Sequence, residues 1–306
     1  MSILPPSPEY VRSAGAAIRD GKLVVMPTET VYGLAADGTN RRAVEAIFAA
    51  KGRPLDNPLI LHIGEPGWLD ELAIDIPDYA RQLAEAFWPG PLTLVLTKLP
   101  HVLDEVTAGL DSVAIRMPAH EIALQIIREA STPVAAPSAN RFMGLSPTRA
   151  EHVEAEIAAA AEMIIDGGSC AYGVESTVID CLSSEPRILR PGGVSRTTIE
   201  AAIGMATGEG AEGAKRSPGL YAKHYSPHAK VFLVNQLRPD EAGLTIDMPL
   251  NSNQLQLPND PVGYAKDLYD ALHTLDIRGV PEIRIQLPPE SLEWETVWDR
   301  IRKAAG

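Results

Sequence analysis

Residues 51–62 read Lys-Gly-Arg-Pro-Leu-Asp-Asn-Pro-Leu-Ile-Leu-His and set two cations one residue apart just before an apolar run. Gly52, Pro54 and Pro58 oppose any helix through this stretch. Lys51 and Arg53 are therefore expected in a loop, with residues 59–63 as a strand returning to the core. A lysine offers a mobile point charge and an arginine a planar fork, so the pair suits an anion with several oxygens, a nucleotide polyphosphate first of all, better than a lone carboxylate. Cations in a surface loop are also commonly just solvated, so the ligand has to be argued from the rest of the chain.

Working outward, residues 41–50 predict a helix with Val44, Ile47 and Phe48 on one face. Before it, the short apolar run 23–26 between Gly21 and Pro27 predicts a buried strand. That strand empties into Pro27-Thr-Glu-Thr-Val-Tyr-Gly33, whose hydroxyls, carboxylate and phenol lie where open α/β folds place ligand groups. The same segment also reads as a polar turn with Thr28 as a helix cap. Ser7-Pro8-Glu9 starts a first helix that Gly21 ends. His62, near its strand's end, is either a ligand group or a structural hydrogen-bonding residue.

Further along, residues 78–88 predict a helix, 92–97 a strand, and Ser112–Arg116 a strand whose period of two sets the Ser112 hydroxyl and the Arg116 guanidinium on one face. A helix at 120–129 and a strand at 133–137 lead to Ser138-Ala-Asn140, and Ser146-Pro-Thr148 predicts one helix running to about Ala161. Strands follow at 163–166, 178–181 and 187–190, with a loop ending in Ser176-Thr177 between the first two. Residues 204–215, rich in Gly, Ala and Glu and without a period, predict an interdomain linker. Tyr221, His224 and Tyr225 then carry too much apolar area for a passive tether. A strand at 231–234, a helix at 262–274, a strand at 282–286 and a helix at 294–303 complete a small α/β domain.

The composition narrows the function. With 306 residues, 45% hydrophobic and 22% charged, the chain suits about two folded domains. A net charge of -13 opposes a large nucleic-acid footprint and leaves small anions open. Cys170 and Cys181 form neither a C-x-x-C pair nor a disulfide framework, which predicts a cytoplasmic protein. No signal peptide and no membrane span are expected. Residues 208–213 have P-loop spacing but lack the Gly-Lys-Ser/Thr ending, and Pro227 argues against His224 and His228 as a helical metal pair. The strand-end groups bind and polarise without a nucleophile and base. They fit chemistry driven by positioning and charge neutralisation, such as attack at phosphorus in a bound nucleotide.

Seven blocks in order, Pro27-Thr-Glu-Thr-Val-Tyr-Gly-Leu34, Lys51-Gly-Arg-Pro-x-x-Asn-Pro-Leu59 with His62, Trp88-Pro-Gly-Pro-Leu-Thr93, Val113-Ala-Ile-Arg-Met-Pro118, Ala136-Pro-Ser-Ala-Asn140, Glu175-Ser-Thr177 and Leu189-Arg-Pro-Gly192, resemble the YrdC-type threonylcarbamoyl-AMP synthase family. Ser217-Pro-Gly and His224-Tyr-Ser-Pro227 resemble its long two-domain form. The resemblance implies an α/β fold with a YrdC-like twisted mixed sheet and a concave cavity over residues 1–204, a linker over 205–229 reaching the active site, and a small Rossmann-like domain over 230–306. The last region is short for that form, which implies a missing strand or helix pair.

The implied enzyme is an L-threonylcarbamoyladenylate synthase, a nucleotidyltransferase that forms threonylcarbamoyl-AMP and pyrophosphate from L-threonine, bicarbonate/CO2 and ATP. Its product would pass to a tRNA threonylcarbamoyl transferase for threonylcarbamoyladenosine modification. Thr28, His62, Arg116, Ala136 and Ser176 would hold L-threonine. Lys51, Arg53, Asn57, Ser112, Ser138, Asn140 and Arg190 would hold ATP, with Tyr225 closing over the nucleotide. Lys51 and Arg53 would be catalytic, and Mg2+ would be carried by the nucleotide with no metal ligand from the protein. The alternative is a non-catalytic double-stranded RNA or tRNA-binding module, against which the charge of -13 weighs, and direct tRNA binding stays open. Related hydrogenase-maturation fusions carry zinc-finger cysteines that this chain lacks.

Overall fold

The computed structural model describes residues 3–210 and 224–306. Local signals place the helices. Ser7 Oγ accepts from Tyr10 N at 3.3 Å to cap helix Pro8–Arg19, which buries Val11, Ala14 and Ile18. Asn40 caps helix Arg41–Lys51, and Gly52 ends it in the left-handed region at φ 59. Lys51 is thus the last residue of a helix and not a loop residue, because the glycine stops the helix only after it.

One twelve-stranded mixed sheet forms the first domain. From one edge its order is Ile3–Leu4, Met163–Ile165, Val24–Met26, Gly33–Asp37, Val134–Ala135, Ile60–His62, Ser112–Arg116, Leu92–Lys98, Thr177–Asp180, Arg187–Arg190 and Gly208–Glu209, with Ala73–Ile74 beside Leu92–Lys98. Ile60–His62 runs parallel to Ser112–Arg116 and antiparallel to Val134–Ala135, so His62 lies opposite both Arg116 and Val134. That register gathers functional strand ends at one place. Leu34, Leu61 and Ile63 fill the core behind it.

Two expectations change. Ser146-Pro-Thr148 does not begin one long helix: a 3-10 turn Ala150–His152 precedes helix Ala155–Ala160, and extended Val153 separates them. The Thr148 hydroxyl engages His152 Nδ1 at 3.3 Å instead of capping. The strand Gly33–Asp37, made of Gly, Leu, Ala and Asp, carries no β-branched signal and was not expected.

Of the predicted linker, Gly208–Glu209 pairs with Arg187–Ile188. Residues 211–223, including Tyr221, lie outside the described residues. The chain is next described at His224 and enters a parallel four-stranded sheet, ordered Lys230–Val234, Glu282–Gln286, Gly243–Thr245 and Gln254–Gln256. Helices Pro261–Ile277 and Glu295–Ala305 complete this domain. Two of its strands, three residues each, are too short to leave a sequence signal.

The domains share a core in which Val31, Leu145 and Val174 join Tyr225, Leu268, Tyr269 and Leu272. They approach closely at Gly173, whose φ is 68 and where an added Cβ would lie 2.0 Å from the Lys266 carbonyl oxygen. Gly173→Ala should therefore cost roughly 2 kcal/mol or more. Urea unfolding should show the loss and small-angle scattering a larger radius of gyration; unchanged values in both would contradict this docking.

Candidate active site

A cavity opens over the ends of the Ile60–His62, Ser112–Arg116 and Val134–Ala135 strands. Of the residues expected at the site, it is lined by Arg53, His62, Arg116, Ala136, Ser138, Ser176, Arg190 and Tyr225. Thr30, Val31, Pro137, Glu175 and His224 complete much of the wall. About 50 Å³ is open to water, room for a handful of molecules. Tyr225, itself 1% exposed, is part of the lining.

Each cation is held by its neighbours. Arg53 donates from Nε to the Asn57 carbonyl at 3.1 Å, and from Nη2 to Asn57 Oδ1 at 2.6 Å and the Pro58 carbonyl at 2.7 Å. Arg190 Nη2 donates to the Ser176 carbonyl at 2.9 Å and to Ser176 Oγ at 3.2 Å, while Ser176 Oγ also lies 2.7 Å from Thr93 Oγ1. Arg116 Nε donates to the Gly90 carbonyl at 3.3 Å, and its Nη2 sits 2.6 Å from Glu29 Oε1. Such over-determined guanidinium groups are set before a ligand arrives.

Five expected residues stand behind the wall. Lys51 is not the mobile charge anticipated: it is 2% exposed, and Nζ donates to the Ser138 carbonyl at 2.5 Å and to the Asn140 carbonyl. Burial, then the neighbouring Arg53, pushes its pKa well below the usual lysine value. The Thr28 hydroxyl closes its own turn, accepting from Thr30 N and Val31 N at 3.2 Å and donating to the Val31 carbonyl at 2.6 Å. Asn57 braces Arg53. Asn140 spends its amide on the Arg141 and Gly144 carbonyls. Ser112 shares a face with Arg116 but stands four residues away, roughly 13 Å at strand rise.

Sequence reasoning missed the roles of Glu29, Glu175 and His224, although each sat in a segment already singled out. The phenol of that first segment is also committed elsewhere: Tyr32 donates to the Gly168 carbonyl at 2.7 Å. His224 and His228 part company, since His228 Nδ1 lies 2.8 Å from Asp276 Oδ2 while His224 lines the cavity. Tyr225 holds φ 58, unusual for a bulky side chain, and this turns its ring inward. Among the described residues His62 Nδ1, His224 Nδ1 and the Tyr225 hydroxyl are buried without a hydrogen-bond partner. Polar atoms in a cavity wall take their partners from water or from a ligand.

Similarity to known proteins places the chain in a family. The family described as "Telomere recombination" matches residues 16–192, and the threonylcarbamoyl-AMP synthase C-terminal domain matches 194–306. The threonylcarbamoyl-AMP synthase of Pyrococcus abyssi is 42% identical, covering 97% of this chain and 94% of its own length. That of Bacillus subtilis is 40% identical, covering 97% and 93%. The crystal structure of P. abyssi Sua5 complexed with L-threonine superposes with a TM-score of 0.91 at 40% identity, over 100% of this chain and 98% of that one. The chain therefore belongs to the threonylcarbamoyl-AMP synthase family and is an enzyme of its adenylyl-transferring class. The match to that structure extends through the second domain.

Burial lowers the pKa of both His62 and His224 from 6.5 to about 3, with Arg116 adding to the effect on His62. Each is neutral when folded and takes up a proton on unfolding below pH 6.5, so its stabilising contribution is full above 6.5 and falls as pH drops toward 3. Glu175, held near 2 by Arg300 and Arg190 against the penalty of burial, adds a loss between 4.5 and about 2. His62→Gln should flatten the stability slope below pH 6.5 by about 1.4 kcal/mol per pH unit. Urea unfolding at about pH 7 and about pH 5 would read it; an unchanged slope would mean the imidazole takes up its proton in the fold as it does in the unfolded chain.

Proposed function

We propose that this chain is an L-threonylcarbamoyladenylate synthase, joining L-threonine, bicarbonate/CO2 and ATP into threonylcarbamoyl-AMP and pyrophosphate. The observation that carries the reading is the convergence of Arg53, Arg116 and Arg190 in one cavity with the unpartnered polar atoms of His62, His224 and Tyr225. An amino acid and a triphosphate need such a set: fixed positive charge for carboxylate and phosphates, and a few neutral groups to orient them.

In this mechanism Arg116, steadied by Glu29 and Gly90, holds the threonine carboxylate beside Ala136 and Ser176. The threonine amine adds to CO2 and loses a proton, giving a carbamate. A carbamate oxygen attacks the α-phosphorus of ATP, and pyrophosphate leaves with the bond electrons. Arg53 and Arg190 offset the charge on the phosphates. Ser138 lines their path, and Asn57 braces Arg53. Lys51 acts by pinning the Ser138–Asn140 turn from behind. Thr28, Asn140 and Ser112 shape the site without reaching into the cavity.

Mg2+ does not fit a protein site here. Among the described residues no group of three His, Cys, Asp or Glu side chains could hold a metal. Glu175, which lines the cavity, and Glu29, behind Arg116, are each paired with an arginine. The ion belongs with the nucleotide.

Residues 1–204 form the catalytic domain in this reading, 205–229 the linker that brings Tyr225 over the nucleotide, and 230–306 the second domain. Among the described residues no helix is long and apolar enough to cross a membrane. Two free, buried cysteines support the cytoplasmic location we assign. The labile product requires a handover partner, a tRNA threonylcarbamoyl transferase.

Pyrophosphate release should require L-threonine, bicarbonate and ATP together. Release indifferent to threonine would overturn the substrate, and no release with salt-steep RNA binding would favour the RNA-binding module instead. Tyr225→Ala should raise the KM for ATP about tenfold, about 1.4 kcal/mol of lost binding, and move the KM for threonine less. Equal shifts in both would count against closure over the nucleotide.

A further inference from the structure

Glu175 is an anion in the wall of a cavity otherwise furnished with cations. Its carboxylate is fully committed. Oε1 accepts from Ser146 Oγ at 2.6 Å, and Oε2 accepts from the Tyr269 hydroxyl at 3.3 Å and from Arg300 Nε at 2.8 Å. Tyr269 and Arg300 both belong to the second domain, on its helices Pro261–Ile277 and Glu295–Ala305. Arg300 is 0% exposed.

The same guanidinium reaches two other parts of the wall. Nη2 donates to the Pro191 carbonyl at 3.0 Å, directly after Arg190, and the group lies 5.0 Å from the centre of the Tyr225 ring. Asp299 pairs with Arg300 as well, and Lys303 lies 2.6 Å from Asp299. Glu175, Arg300, Asp299 and Lys303 alternate in sign and sum to zero. Removing Arg300 would take from the buried carboxylate its direct ion-pair partner and leave Arg190 as its remaining counter-charge, beside the place where phosphates bind, and a buried charge that loses its partner is costly.

We propose that the second domain completes the active site electrically: Arg300 is a positioning residue that neutralises Glu175 and holds it, Tyr225 and the Arg190–Pro191 turn in the cavity wall, so that ATP meets a positive surface. This rests on the assignment of ATP to the cavity made above. Arg300 touches no substrate; it acts through Glu175 and Tyr225.

The test is direct calorimetric binding of α,β-methylene ATP to the full-length protein and to three variants, Arg300→Met, Glu175→Gln and Glu175→Gln with Arg300→Met. Arg300→Met should weaken binding about tenfold. Glu175→Gln should bind as tightly as the parent or more so, and the double variant should return to within about threefold of it, because the anion is gone along with its counter-charge. A double variant as weak as Arg300→Met would reduce Arg300 to a packing strut and overturn the proposal, as would an Arg300→Met variant that binds like the parent. Should Arg300→Met fail to fold, Glu175→Gln still decides: weaker binding by that variant sinks the idea. If the parent itself does not bind the analogue, the ATP assignment fails before the variants are compared.

Discussion

A charge withdrawn from water must find a counter-charge or strong hydrogen bonds nearby, and the arrangement of this protein around its cavity follows from that constraint. Lys51, Arg53, Arg116, Arg190 and Arg300 are all buried, as are Glu29 and Glu175. Arg116 and Glu175 each find a partner on another element, whereas Arg53 is held within its own turn and Arg300 also pairs with its neighbour Asp299. Arg116 on a central strand meets Glu29 from the turn after the Val24–Met26 strand, and Glu175 meets an arginine from the other domain. Pairing across elements ties the sheet, the turns and the second domain into one arrangement.

The pairs differ in what they leave free. Lys51 gives its ammonium to two carbonyls of the Ser138–Asn140 turn, so its charge is used up on the scaffold. Arg116 keeps a planar fork with one edge fixed by Glu29 and Gly90, which sets its orientation while leaving it in the cavity wall. A flexible ammonium and a rigid guanidinium at similar depth thus serve different purposes, the first bracing and the second presenting charge.

Much of this was legible in the sequence. The helix start at Ser7 and the apolar runs 23–26 and 59–63 are local signals, and the structure follows them. Eight of the expected site residues line the cavity because strand ends are where a sheet of this kind exposes side chains. What stayed hidden is long-range. That Lys51 points at carbonyls near residue 140, that Glu29 faces Arg116, and that Arg300 faces Glu175 depend on sheet order and domain docking, which no local pattern encodes. Glu29 was visible as a carboxylate in a polar turn; only the register opposite His62 and Arg116 gives it a partner.

The 125 residues separating Glu175 from Arg300 also bear on how the protein is made. At ordinary synthesis speed, roughly 6–25 s pass between the emergence of the two. During that interval the first sheet can assemble before Arg300 is there to pair with Glu175. The young chain at this stage is a half-built receptor, open to water and poorly suited to hold a triphosphate. On the proposed assignment of ATP to the cavity, full affinity arrives only with the second domain, so a ribosome-bound fragment would draw little nucleotide from its surroundings.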